Sequence, residues 1–470
     1  MSPRKFFSEV QPKWWVLLAI GVGSLMGSID SGVVNIILPT VHRELGSSVA
    51  TVEWVVTIYL LVVCGLLLTF GRLGDIRGHK RLYILGFAIF TLGSAACGLA
   101  WSVAALIAAR GVQALGASIL FASAPAILTA NFPATQRGQA LGLQAVMIYL
   151  GSLSAPMLGG WLTDHYSWRS VFYINVPVGL LASALCIKFI PGDEHERHGE
   201  SFDFAGAILF MAGLVSLMFG LNQGHNWGWT SPYTHGFLMG GLVLLVLFIA
   251  LERRVSQPLL DLTLFHRTEF SMSVTSAVLN YIPIYTILFL MPFYLIQGRG
   301  VSPGTAGRWL AIQPAIMAVA SPISGILSDR IGTRRPSAFG MALLGTGLFL
   351  LSRLGPESPM PFVGLALGVS GLGTGIFIAP NNSALMGAAP ANRQGMASGV
   401  LATSRYVGMI LGIGIAGAIF TTFLTRGTSS ALFEGIRVSF FVASIAGFLG
   451  CVTSSVRKDK EKDDDLKLAR

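Results

Sequence analysis

Asp30 is the only carboxylate deep inside any apolar stretch of this chain. An unpaired ionised Asp in lipid costs at least about 2.5–3.5 kcal/mol, so intramembrane acids are functional by default. A carboxyl placed there can take a proton from one side of a bilayer and release it to the other. The bland reading is a permanent ion pair with a neighbouring cation. Arg110 is the natural partner, since at 1.5 Å rise per residue both groups fall about 10–14 Å from the outer ends of their helices. Arg110 could hold ionised Asp30 and be freed on protonation, or the two could form a fixed structural pair. Arg405, in a later apolar stretch, needs an anion, a carbonyl or water.

Weaker candidates are the polar and aromatic groups within apolar runs: Asn35, Gln113, Gln144, Asn280, Tyr281, Gln313, Phe377 and Asn381. Ligand sites are mostly apolar with a few polar groups, so about half of these are expected to face a substrate cavity. The rest would satisfy a neighbouring helix. The histidines fall in loops or near the ends of apolar runs, without metal-ligand spacing. No metal site is expected. There is no phosphate-binding Walker loop. No nucleophile, base or metal cluster suggests an enzyme.

The elements that must position these groups are membrane helices. Of the 470 residues, 53% are hydrophobic and 11% charged. The charged fraction is far below the roughly 25% of soluble chains. Runs of the length a bilayer needs occur at 14–38, 54–71, 82–101, 103–130, 138–161, 170–190, 204–222, 234–252, 270–296, 305–327, 337–353, 361–386, 396–424 and 435–455. This predicts an all-α integral membrane protein with fourteen spans. The net charge of +10 does not indicate nucleic acid, because the basic residues are scattered through short loops. Lys80, Arg81, Arg253, Arg254, Arg334, Arg335 and the tail beyond Arg457 all fall on one side if both termini are cytoplasmic. The positive-inside rule supports that orientation. The four cysteines lie in apolar runs without paired spacing, which argues against disulfides.

The chain also repeats itself. Gly71, Leu73, Asp75 and Gly78 recur 254 residues later as Gly325, Leu327, Asp329 and Gly332, with basic residues beside each loop, Arg77 among them. Arg137-Gly-Gln-Ala-Leu-Gly142 returns in similar form as Arg393-Gln-Gly-Met-Ala-Ser-Gly399. Two six-helix halves with an inserted pair account for this: 1–191, then 192–256, then 257–456, with a charged tail at 457–470. Repeats of this kind build secondary transporters, with substrate held between the halves.

The repeated Gly-x-x-x-Asp-x-x-Gly loop resembles the hallmark of the major facilitator superfamily. Arg110-Gly-Val-Gln-Ala-Leu-Gly116 resembles its fourth-helix Arg motif, with Ala114 where the family has Gly. Gly151-Ser-Leu-Ser-Ala-Pro156-Met-Leu-Gly159-Gly160 resembles the fifth-helix antiporter motif, with Ala155 in place of Gly. Asp30-Ser-Gly-Val-Val-Asn35-Ile-Ile-Leu-Pro39 and Trp168-Arg-Ser-Val-Phe-Tyr-Ile-Asn175-Val-Pro177-Val-Gly179 are similar to the fourteen-span drug:proton antiporters.

The resemblance implies a 6+2+6 fold in a cell membrane that brings Asp30 and Arg110 together. It implies export of lipophilic, often cationic, drugs driven by the proton gradient, with no cofactor, and the chain is expected to act as a monomer. Asp75 and Asp329 would lock and release helices, and the Gly151–Gly160 helix would seal against proton leak. Gly151, Ala155 and Gly159 also have the four-residue spacing of ordinary tight packing. An alternative on the same fold is an exporter or flippase of a lipid, siderophore or other metabolite.

Overall fold

Backbone groups have no water to bond in a bilayer core, so a spanning segment must satisfy them within a helix or a closed barrel. The computed structural model describes residues 12–133, 136–192, 203–255, 262–390, 394–426 and 430–457, and their regular structure is helical throughout. In chain order the helices are α1 (Pro12–Glu44), α2 (Val49–Arg77), α3 (His79–Gly98), α4 (Val103–Asn131), α5 (Arg137–His165), α6 (Ser170–Tyr173), α7 (Asn175–Phe189), α8 (Phe204–Trp227) and α9 (Pro232–Glu252). There follow α10 (Thr268–Pro292), α11 (Pro303–Leu310), α12 (Ile312–Ile331), α13 (Arg334–Leu351), α14 (Met360–Ala388), α15 (Gln394–Leu424) and α16 (Ala431–Ser455).

Thirteen segments among the described residues are long and apolar enough to cross a membrane. The expected run at 337–353 is also helical, as α13. Its 18 residues open on Arg334-Arg335-Pro336-Ser337, and this polar first turn leaves it less apolar than the others. Three expected spans are broken, the tenth of them at Ala311 between α11 and α12. The sixth divides at Ile174 into α6 and α7. Pro177 then sits in the first turn of α7, where a missing N–H is harmless. The ninth runs from α10 through Pro292 into a π-helical turn, Phe293–Gly298.

Local chemistry sets the ends. Ser48 and Ser102 accept from the N–H groups of Thr51 and Ala105, capping α2 and α4. The final glycine of each repeated loop ends a helix with positive φ: Gly78 at 93° after α2, Gly332 at 83° after α12. A side chain there would be strained. This gives the repeated loop a backbone reason for its glycine.

The chain resolves into two compact units, Met1–Ala207 and Ile208–Arg470. In the first, α3 crosses α4 and α1 lies along α5. In the second, α13 crosses α14 and α10 lies along α15. Glycines make both crossings close. A Cβ on Gly116 would lie 2.4 Å from the Phe90 nitrogen and 2.6 Å from the Gly86 carbonyl oxygen. A Cβ on Gly373 would lie 2.4 Å from the Leu344 nitrogen and 2.6 Å from the Gly340 carbonyl oxygen. Gly86 and Gly340, like Phe90 and Leu344, are 254 residues apart, so the repeat extends from the loops into helix packing. The helices of the inserted pair belong mostly to the second unit. Trp229 Nε1 donates to Thr422 Oγ1 at 3.1 Å, and Gly414 of α15 faces Met218 of α8.

Candidate functional site

Asp30 and Arg110 meet inside the first unit. Arg110 Nη1 donates to Asp30 Oδ2 at 2.8 Å, and the two residues are 1% and 0% exposed. The carboxylate is held by three side chains from two helices, α4 and α7. Gln113 Nε2 donates to Asp30 Oδ1 at 2.8 Å, and Asn175 Nδ2 donates to the same oxygen at 2.7 Å. Ser94 Oγ of α3 accepts from both amides, at 3.1 and 3.0 Å, and donates to the Phe172 carbonyl at 2.9 Å.

The sequence explains this convergence. Arg110 and Gln113 are three residues apart on α4 and share a face. Gly93 lets α3 come so near α4 that a Cβ on it would lie 2.6 Å from the Gln113 Cα. That approach brings Ser94 within reach of Gln113. The break at Ile174 makes Asn175 the first residue of α7 and places its amide against Asp30.

Arg110 has further partners. Its Nη1 donates to Gln113 Oε1 at 2.6 Å, and its Nε donates to the Val55 carbonyl at 3.2 Å. The guanidinium carbon lies 4.1 Å from the centre of the Tyr59 ring, within cation–π range. Burying two charges costs several kcal/mol per ion, repaid only when the remaining lone pairs and protons are bonded. Here they are. If Asp30 takes a proton, Arg110 still keeps a side-chain carbonyl, a main-chain carbonyl and an aromatic face. These contacts would hold the guanidinium in place if the carboxylate were neutralised.

The helix carrying Asp30 is clamped by α5. A Cβ on Gly151 would lie 2.8 Å from the Leu25 carbonyl oxygen, and one on Gly159 would lie 2.4 Å from Val33 Cγ2. The Ala155 Cβ fills the space beside Gly32. Ser28 Oγ donates to the Ile148 carbonyl at 2.7 Å and pairs with Ser152 Oγ at 2.9 Å. Pro156 and Gly160 are buried in the same helix.

The remaining expected residues are spread out. Gln113 belongs to the Asp30 network and is fully buried there, so it is a positioning group and not a free cavity amide. Asn35 donates to the Ser31 carbonyl and Gln144 to Ser24 Oγ. Asn280 Nδ2 lies 3.4 Å from Met341 Sδ. Asn381 donates to the Ser273 carbonyl and accepts from Arg457. Phe377 is buried against Gly340. Tyr281 is half-buried, with its Cβ beside Gly408 of α15. Gln313 leaves its buried Nε2 unbonded.

Gly71 and Gly78 lie at the end of α2 and Gly332 at the end of α12, with Arg77 exposed. The side chains of Asp75, Arg137 and Asp329, and residues 391–393 and 458–470, lie outside the described residues. Among the described residues no group of three His, Cys, Asp or Glu side chains could hold a metal.

Ser94 and Asn175 are the residues of the Asp30 network that the sequence alone did not bring forward. Ser94 resembles the many helical serines that bond their own backbone. Asn175 stood in a recognised motif, but nothing in the sequence places it beside Asp30.

Membrane-length apolar helices in two related halves, with a buried Asp–Arg pair inside the first, are the build of a secondary transporter. The chain belongs to the major facilitator superfamily, whose family model matches residues 20–261 and 273–469. The riboflavin transporter RibZ of Clostridioides difficile is 34% identical over 94% of this chain and 97% of its own length. The multidrug resistance protein Stp of Mycobacterium tuberculosis is 34% identical, covering 87% of this chain and 76% of that protein. The tetracenomycin C resistance and export protein of Streptomyces glaucescens is 33% identical with the same coverage. A solved peptide transporter, POT, has the same fold, with a TM-score of 0.69 at 17% identity over 92% of this chain and 93% of that one.

Proposed function

We propose that this transporter is a proton-coupled antiporter that exports lipophilic small molecules by alternating access. In this reading it has fourteen spans arranged 6+2+6, both termini in the cytoplasm, and acts as a monomer in the cell membrane. The observation that carries the proposal is Asp30. It is a buried carboxylate in a span, and its cation has other partners when the carboxylate is neutralised. Names among the relatives, multidrug resistance and antibiotic export, support the direction and the cargo.

The test is drug-stimulated proton movement in proteoliposomes containing the wild type or Asp30→Asn. Wild type should release protons when drug is added, and Asp30→Asn should not. Full coupling in the variant would remove Asp30 from the mechanism.

A second reading is a vitamin or metabolite transporter on the same fold. The riboflavin transporter favours it, because this chain matches nearly the whole of that protein. Riboflavin movement in the same vesicles, with no response to any drug in a broad panel, would select it.

A further inference from the structure

Two arginines lie within apolar spans, and their surroundings are opposite. Arg110 is bonded to a carboxylate, a side-chain amide and a carbonyl, beneath a tyrosine ring. Arg405 of α15 has a buried Nε with no hydrogen-bond partner. The residue is neither fully buried nor fully exposed, so its terminal nitrogens reach the surface of the second unit. No carboxylate among the described residues pairs with it.

Its span runs from Met396 to Leu424. At 1.5 Å per residue, Arg405 lies about 14 Å from its start, and farther from its end. It stands about two and a half turns in from the nearer end of the span. Arginines near helix ends snorkel to the headgroups, and this one is set back from both ends of its span. One turn later, Gly408 brings α15 against Val278 and Tyr281 of α10, which anchors the helix that presents it.

A cation left unbonded at this depth costs at least about 2.5–3.5 kcal/mol on insertion scales. It is explained if a ligand completes it. We infer that Arg405 is a specificity-determining residue that binds the acidic group of the cargo, so that lipophilic carboxylic, phenolic or sulfonic acids are preferred substrates. The inference rests on the transport reading and narrows its substrate class. A cationic cargo would instead need an accessible carboxylate deep in a span. The one at that depth, Asp30, is wholly buried and already paired.

The test uses 1-pyrenebutyric acid and its methyl ester, which share the ring and differ in charge at neutral pH. Binding to the purified full chain in detergent is measured by equilibrium dialysis against empty micelles. Wild type should hold the acid at least tenfold more tightly than the ester. Arg405→Gln should lose that preference with ester binding unchanged, and Arg405→Lys should keep part of it. Arg405→Gln should melt no lower than wild type, because it removes a charge that no protein group satisfies.

Equal binding of the two probes by wild type, an intact preference in Arg405→Gln, or no binding of either probe would each overturn the inference. Asp30→Asn separates the two proposals. It should retain the preference for the acid while losing proton-driven transport. If it still transports, the coupling reading fails and the Arg405 result stands.

Discussion

At the residue scale, the Asp30 carboxylate is defined by its donors more than by its burial. A hydrogen bond to a charged group contributes about 1.5–3 kcal/mol. Asn175→Ala removes one of the three side chains that hold Asp30, and we expect proton-driven transport to fall about tenfold or more while the protein stays folded. Measuring the initial rate of drug-driven proton release, beside a melting curve, checks this. Arg110→Ala should be harsher, because removing one member of a buried pair costs about 3–5 kcal/mol. Its melting temperature should fall, and Asp30→Asn in the same chain should restore part of the loss by removing the stranded carboxylate. A double-variant cycle that shows no such rescue would argue against direct coupling of the pair.

At the element scale, α5 holds α1 in place through small residues. Gly159→Leu would force a side chain into Val33 and Ile36, and overpacking of this kind costs about 1–3 kcal/mol. Because α1 carries Asp30, the same change should raise passive proton leak in drug-free vesicles. Gly142, in the same helix, has open space where a Cβ would stand, with nothing within 4 Å. Gly142→Ala should leave both melting temperature and leak at wild-type levels. The contrast separates close packing from a general intolerance of substitution in α5.

At the scale of the whole molecule, the repeat makes a paired prediction. A Cβ on Gly116 or on Gly373 would meet backbone at 2.4 Å, in equivalent crossings of the two units. Gly116→Ala and Gly373→Ala should lower thermal stability by similar amounts. Only Gly116→Ala should also impair proton coupling, since Gln113 and Arg110 share its helix. The second unit repeats the packing but not the charge. The position 254 residues after Asp30 is Ile284, and that after Ser94 is Leu348.

Much of this was legible in the residues themselves. A scarcity of charge over long apolar runs dictates helices, because lipid leaves the backbone no other partner. A loop repeated at constant offset dictates two related halves, and its terminal glycines require the positive φ that Gly78 and Gly332 adopt. Asp30 stood out because a lone acid in an apolar run has no cheap solution, and that cost is local to the sequence. What completes the solution is not local. Asn175 lies 145 residues from Asp30, and Ser94 comes from a third helix. The closeness of Gly93 to Gln113 and the break at Ile174 bring them together, and neither can be read from spacing along the chain. The same holds for the two arginines. Their sequences are alike in placing a guanidinium within an apolar helix, and only the tertiary structure shows that Arg110 is paired with a carboxylate while Arg405 has a buried Nε without a partner.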